Sequence, residues 1–304
     1  MLQEIAQLTV FGLIFGSILA LSGIGLSLTY NILKFANFAH GDTMTLGAFM
    51  ALWVLSLLRS AGIPPQPLGP LSFGLPMILA TLAAMVMTAA LVVLLDKLLY
   101  RHLRTSGSAI LLISSFGVAF GMRAVIQFIW SPQPQYYIHK IQIAQEIFGI
   151  RIKPDQVFIL LLSAALVMAL HLFLTRTKMG KAMRAASDNM ELARVTGIDT
   201  DRVILWTWLI GTVLAAAAGV LVGIENKFIT PTLGWNLLIY IFAAVILGGI
   251  GSPYGALLGG LVIGVTSEVS TLEGFVPTEY KPVVAFVIMI AMLLLKPTGL
   301  LGGR

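Results

Sequence analysis

Apolar residues fall into runs at 8–30, 35–58, 75–95, 109–130, 156–174, 203–223, 237–250, 254–270 and 282–296, separated by short polar stretches. About 20 apolar residues in a helix cross the hydrocarbon core of a bilayer, so the pattern predicts an all-α, polytopic transmembrane bundle of about 8–9 spans. The two runs at 237–270 are short and meet at Gly248-Gly249-Ile250-Gly251-Ser252-Pro253-Tyr254-Gly255, a cluster of turn formers. This predicts a discontinuous Gly-rich hairpin, countable as one span or two. No room remains for a separate soluble domain, and residues 1–304 read as a single transmembrane domain.

Small residues recur at helical spacing. Gly211, Ala215, Gly219 and Gly223 form one stripe, and Gly12/Gly16, Gly117/Gly121 and Gly260/Gly264 form further pairs. Such residues let helices approach closely in lipid, so packing is their default meaning and a pore wall the alternative. The loop at 131–155 follows Trp130 and carries Tyr136-Tyr137, which suits an interfacial aromatic belt. Within it Ile141-Gln142-Ile143-Ala144 and Ile147-Phe148-Gly149-Ile150-Arg151-Ile152 partly alternate, predicting a small hairpin lying on the membrane.

Composition agrees with the pattern. Of the 304 residues 58% are hydrophobic and 11% charged, with 30 glycines and a mean hydropathy of +0.95. Soluble domains carry about 25% charged residues. The chain has no cysteine, which excludes disulfides, thiol catalysis and Fe–S clusters. The net charge of +6 is read as loop bias rather than nucleic-acid binding. Lys97, Arg101 and Arg104 lie at 96–108; Arg176, Lys178, Lys181, Arg184, Arg194 and Arg202 lie at 175–202. The positive-inside rule assigns both loops to the cytoplasm, with Lys34, Lys296 and Arg304. Loops 59–74 and 224–236 hold only Arg59 and Lys227; the loop at 131–155, with Lys140, Arg151 and Lys153, is a mild exception. The amino end is then outside and the carboxyl end inside. With no basic residue before Lys34, the first apolar run reads as a retained span rather than a signal peptide.

Two stretches carry candidate chemistry. The first, Asn31–Gly47, is polar where a span should begin: Asn37, His40, Asp42, Thr43 and Thr45 do not all face lipid, since charges at membrane depth cost several kcal/mol. Either the span starts near Thr45 with Asp42 as its N-cap, or a broken helix points its amino end at a substrate pathway. Arg123 falls in mid-span and reads equally as a pathway or a helix-pairing residue. Glu225 and Glu268, near span ends, read as snorkelling or internally paired groups. His40, His102, His139 and His171 are scattered, so no metal site is expected.

The second stretch is 175–202. Lys181–Val195 reads as an amphipathic helix, with Met183, Ala186, Met190 and Ala193 on one face. Arg184/Asp188 and Glu191/Arg194 are spaced as pairs on the other, and Gly197 stands as its terminator. The Ala/Met face is shallow and suits a protein groove better than lipid.

Gly23-Ile24-Gly25-Leu26-Ser27-Leu28-Thr29-Tyr30 followed by Asn37-Phe38-Ala39-His40-Gly41-Asp42 resembles the start of LivH-type permeases of branched-chain amino acid ABC importers. Met179–Ile198 is similar to the family's ATPase-coupling segment, whose Glu-x-Ala-x-x-x-Gly core matches Glu191, Ala193 and Gly197. Gly248–Ala256 resembles its late Gly-rich motif. The resemblance runs nearly end to end, although urea and other amide permeases look similar. It implies a second, homologous LivM-like permease, two cytoplasmic ATPases, an extracytoplasmic substrate-binding protein and location in the bacterial inner membrane. ATP is expected on the partners: around Gly180-Lys181-Ala182 the P-loop pattern fails, with Thr175 for its first Gly and Ala182 for Ser/Thr. The chain is thus expected to be no enzyme and to hold no cofactor. The rival is an ion-coupled transporter using Asp42. A membrane enzyme is disfavoured, because no acid–base or nucleophile pair converges on one face.

Overall fold

The computed structural model describes all residues except 65, 105, 138–141, 148, 303 and 304. Expectations resting on His139, Lys140, Ile141, Phe148 or Arg304 lie outside the described residues. Among the described residues seven helices are long and apolar enough to cross a membrane: α1 (Leu2–Leu33), α2 (Ala39–Ser60), α3 (Leu75–Leu103), α4 (Ser108–Trp130), α5 (Pro154–Arg176), α8 (Thr200–Asn226) and α11 (Thr278–Leu295). Between α5 and α8 lie two short helices, α6 (Lys178–Asp188) and α7 (Met190–Val195). Two apolar helices of 16 and 17 residues, α9 (Leu233–Gly248) and α10 (Pro253–Val269), precede α11.

The apolar runs match these helices, with extensions at two places. Helix α1 starts at Leu2, ahead of the run expected from residue 8. The run expected to stop at residue 95 continues to Leu103 through a π-turn at Asp96–Tyr100. Its polar end is held: Arg104 donates to Asp96 at 2.6 Å, and the Tyr100 ring stacks on Trp208 at 5.3 Å. Lys34 breaks the chain between α1 and α2 by adopting a left-handed conformation (φ 56°).

Glycine decides how closely the central helices meet. A Cβ on Gly16 would sit 2.8 Å from the carbonyl oxygen of Gly260, and one on Gly12 2.5 Å from the Cα of Val265, so the two small-residue pairs interlock α1 with α10. The α8 stripe does the same with Gly25 of α1, Met44 of α2 and Tyr137. Packing, rather than a pore wall, is the use made of these residues. Gly117 and Gly121 differ: a Cβ at either would meet nothing within 4 Å.

The loops sort into two ends. At one, Gln7 exchanges hydrogen bonds with the backbone of Arg151 (2.7 and 2.9 Å) and Arg59 donates to the carbonyl of Tyr137. At the other, Lys34 donates to the carbonyl of Ser187, Arg104 lies 3.7 Å from Asp201, and Leu300 and Leu301 donate backbone N–H groups to Leu247 and Gly248. The second end therefore gathers the basic loops 96–108 and 175–202.

In the 131–155 loop, β2 (Gln145–Ile147) pairs antiparallel with β3 (Ile150–Ile152). Gln142–Ala144 is not in a strand, and the hairpin rests on α1 through Gln3 and Gln7. A second pairing, β1 (Gln135–Tyr136) with β4 (Phe228–Ile229), had no periodic signal in so few residues. Tyr136 is exposed, as a belt residue should be. Tyr137 does not face outward. It is fully buried beside Gly223, its hydroxyl donates to the carbonyl of Ala48, and burial holds its phenol pKa well above the usual value.

Candidate functional site

The α1–α2 junction brings the polar candidates together. Helix α2 begins at Ala39, not near Thr45, and the side chain of Asn37 accepts from the Ala39 N–H at 3.1 Å. Asp42 is therefore not the N-cap. It lies in the first turns with no exposed side-chain surface, and Arg123 of α4 grips both its carboxylate oxygens at 3.0 Å. The guanidinium is sandwiched between Phe120 and Trp235, 5.4 and 4.7 Å from the ring centroids. Of the two readings of Arg123, helix pairing is the geometry found.

The remaining groups are also engaged. His40 Nε2 lies 2.8 Å from the carbonyl oxygen of Ser22 on α1. Thr43 donates back to Ala39, while Thr45 donates to the carbonyl of Gly41 and accepts from the N–H of Gly234 on α9. The junction thus ties α1, α2, α4 and α9 at one depth. All five polar candidates, Asn37, His40, Asp42, Thr43 and Thr45, are buried, and each bonds to protein.

The 175–202 segment departs from the single helix expected. Asn189 (φ −152°, ψ 106°) interrupts it and caps α7, its side chain accepting from the N–H of Leu192 at 2.9 Å. The Ala/Met face is turned inward: Met183, Ala186 and Ala193 are buried in the chain's own core and Met190 packs against it. That face packs on α1 and α8 of the same chain. The outer surface instead carries Lys181, Arg184 and Glu191, with Leu192 60% and Val195 84% exposed. The expected Arg184/Asp188 and Glu191/Arg194 pairs are absent among the described residues; Arg194 bonds the Thr200 hydroxyl. Gly197 does terminate α7. Its φ is 89°, its N–H reaches Arg194, and Ile198 N–H reaches Ala193, a Schellman closure.

Comparison with known proteins gives these features a family. Residues 8–293 match the model for "Branched-chain amino acid transport system / permease component". The chain belongs to this family. The permease is 33% identical over 302 residues to the high-affinity branched-chain amino acid transport system permease protein BraD of Pseudomonas aeruginosa, covering 97% of this chain and 95% of that one. It is 33% identical over 296 residues to LivH of Salmonella typhimurium, covering 96% and 93%. To LivM of the same organism it is 29% identical over 160 residues, 51% of this chain and 37% of that one. No solved structure matches. The family is one of transport permeases rather than enzymes.

Sequence reasoning missed a second polar centre in the permease. Asp155, at the start of α5, is buried and binds the Lys227 ammonium at 2.5 Å, the Ser72 N–H at 2.9 Å, the Ser72 hydroxyl and Gln142. Four segments distant in sequence meet on one carboxylate, which no spacing rule foretells. Asp155→Ala leaves Lys227 without its anion at a partly buried site. Loss of about 3 kcal/mol is expected, the low end for a broken buried pair, read as a fall in melting temperature of the purified chain. An unchanged melting temperature would show the cluster to be dispensable. Glu268 is internally paired, with Lys281 donating at 2.7 Å, whereas Glu225 accepts only a neutral amide, from Gln156 at 2.8 Å. Leu192 and Val195 stand outside the regular Ala/Met face that the helical period singles out. Two larger aliphatic residues among charges were the available signal.

Proposed function

We propose that this chain is a membrane-spanning subunit of an ABC importer that carries branched-chain or other neutral amino acids across the bacterial inner membrane. The observation that carries the reading is the family match along nearly the whole chain, to relatives named for branched-chain amino acid transport. The chain works beside a LivM-like permease, two cytoplasmic ATPases that bind the ATP, and an extracytoplasmic binding protein. Its amino end is outside and its carboxyl end cytoplasmic, with α9 and α10 as two short spans. The clustering of the basic loops at one end of the bundle supports this orientation. The enclosure of Asp42 by Arg123 argues against a carboxylate that takes up and releases ions.

The cytoplasmic segment couples the ATPases to the bundle through the surface it exposes. Leu192 and Val195 supply the apolar contact, while Arg184 and Glu191 set register. Met183, Ala186, Met190 and Ala193 seat the segment on α1 and α8, and Gly197 fixes its angle to α8. Val195→Asp is expected to weaken ATPase recruitment about tenfold or more, as for a lost hot spot, while membrane abundance stays normal. Co-purification of the ATPases with the permease pair measures this, and undiminished recruitment by Val195→Asp and Leu192→Asp together removes the coupling role. Gly197→Val meets no neighbour, yet its left-handed backbone costs a Cβ-bearing residue about 1–2 kcal/mol. The variant is expected to insert and to bind its partners, while stimulated ATP hydrolysis and uptake fall together in proteoliposomes. Full turnover in that variant would mean the angle does not matter.

A further inference from the structure

A cavity of about 430 Å³ opens among α1, α5, α8, α9 and α10 at the end of the bundle that holds the amino terminus. Its size is within the range of small-molecule sites, roughly 300–1,000 Å³. One wall is apolar and comes mainly from α1, with Phe11, Ile14, Phe15 and Ile18, facing Val222 and Leu237. The other carries Lys153, Gln156, Glu225, Asn226 and Glu268.

The charges of that polar wall are unevenly satisfied. Glu268 is neutralised by Lys281. Among the described residues Lys153 has no carboxylate within 4.0 Å and Glu225 no cation; Glu225 accepts only the amide of Gln156. Gln156 is itself buried and is fixed at its other end, where its side-chain oxygen accepts from the Lys153 backbone N–H at 3.0 Å. One cation and one anion therefore line the same space unpaired, with the Gln156 amide bridging the Lys153 backbone at the start of α5 and the Glu225 carboxylate at the end of α8. Their net charge is zero and their opposite wall is aliphatic and aromatic. A ligand that satisfies all three has a carboxylate, an ammonium and an apolar branch.

We infer that this cavity is a binding site for the zwitterion of an aliphatic amino acid, with its carboxylate toward Lys153, its ammonium toward Glu225 and its side chain against Phe11, Ile14 and Phe15. The inference rests on the proposed transport of neutral amino acids, and it places a substrate station within this single chain, near its outer face.

The absence of native cysteine gives a direct test. Leu237→Cys puts one thiol on the cavity wall of the full-length chain in membranes, where a small methanethiosulfonate reagent reports access. At ten times its Kd a ligand leaves about one site in eleven open, so saturating leucine is expected to slow labelling about tenfold. Leucinamide, which lacks the carboxylate, and 4-methylpentanoate, which lacks the ammonium, should each protect far less. Lys153→Gln and Glu225→Gln, made in the Leu237→Cys chain, should raise the half-protecting leucine concentration about tenfold or more, as expected for a lost charged hydrogen bond. Labelling of Val195→Cys at the opposite end should ignore leucine. Labelling at residue 237 that leucine leaves unchanged, in membranes whose assembled transporter imports leucine, overturns the site and leaves the transport reading intact. Equal protection by 4-methylpentanoate or by urea overturns the zwitterion assignment. Protection by leucine in a transporter that imports none would uphold the site and overturn the transport reading.

Discussion

Replacing Arg123 by leucine is expected to reduce the folded chain in the membrane to a small fraction of its normal abundance. The replacement leaves the Asp42 carboxylate with no exposed surface and without its bidentate partner. Removing one member of a buried ion pair costs about 3–5 kcal/mol. The guanidinium also loses its contacts with Phe120 and Trp235, worth roughly 0.5–2 kcal/mol. Together these approach the whole stability of a typical domain, about 5–15 kcal/mol. The double variant Asp42→Leu/Arg123→Leu removes both charges, and apolar replacement of a whole buried pair is commonly neutral or stabilising. Abundance should therefore recover in the double variant. Quantitative immunoblotting and thermal melting in detergent complete the cycle. Normal abundance of Arg123→Leu alone would show that the pair does not hold α2 to α4. Recovered abundance with uptake still absent would give the pair a role in transport beyond holding the bundle.

The second large effect separates glycines that look alike in sequence. Gly264→Val should prevent assembly of the bundle, because its Cβ would fall on the backbone of Gly16, leaving two helices no way to yield without separating. Overpacking usually costs about 1–3 kcal/mol, and backbone on backbone lies at the upper end or beyond. Gly117→Val, the same substitution in the same kind of motif, meets open space and should leave the chain folded. Equal melting temperatures for the two variants would mean that the α1–α10 contact is looser than described.

That pair of outcomes marks where reading the sequence stops. Hydrophobic runs located every long helix, because a span has to be apolar along its length whatever it packs against. The glycine motifs signalled close approach but not the partner: Gly16 and Gly264 are far apart in the chain, while Gly117 and Gly121 meet no partner among the described residues. Arg123 and Asp42 were each visible as costly charges, yet their pairing depends on how α2 and α4 are placed. Gly197 was legible because a helix terminator is a local matter. The inward turn of Met183, Ala186 and Ala193 was not, since an amphipathic pattern says that a face is covered without saying by what. The cavity of Lys153 and Glu225 was hidden for a related reason: near span ends each residue passes for an interfacial charge, and only the assembled wall shows that neither has a counter-ion.

The backbone bonds from Leu300 and Leu301 to Leu247 and Gly248 bear on how the bundle can move. They satisfy carbonyls at the end of α9 that would otherwise lack partners, and they come from the segment directly after α11. A Cβ on Gly299 would strike the backbone of Gly249, so the two stretches lie in direct contact. Helices α9 and α11 are thus stitched at one end, and α10 is bound to α9 by the Gly249–Ser252 turn. These three form one stiff block. The short non-helical link from Lys34 to Phe38 is tied down as well: Lys34 donates to the carbonyl of Ser187, the Phe38 N–H donates to Ser115, and His40 just beyond it reaches the carbonyl of Ser22 on α1. Since the Gly234 N–H of α9 also bonds Thr45, α2 travels with that block, and α4 with it through Arg123.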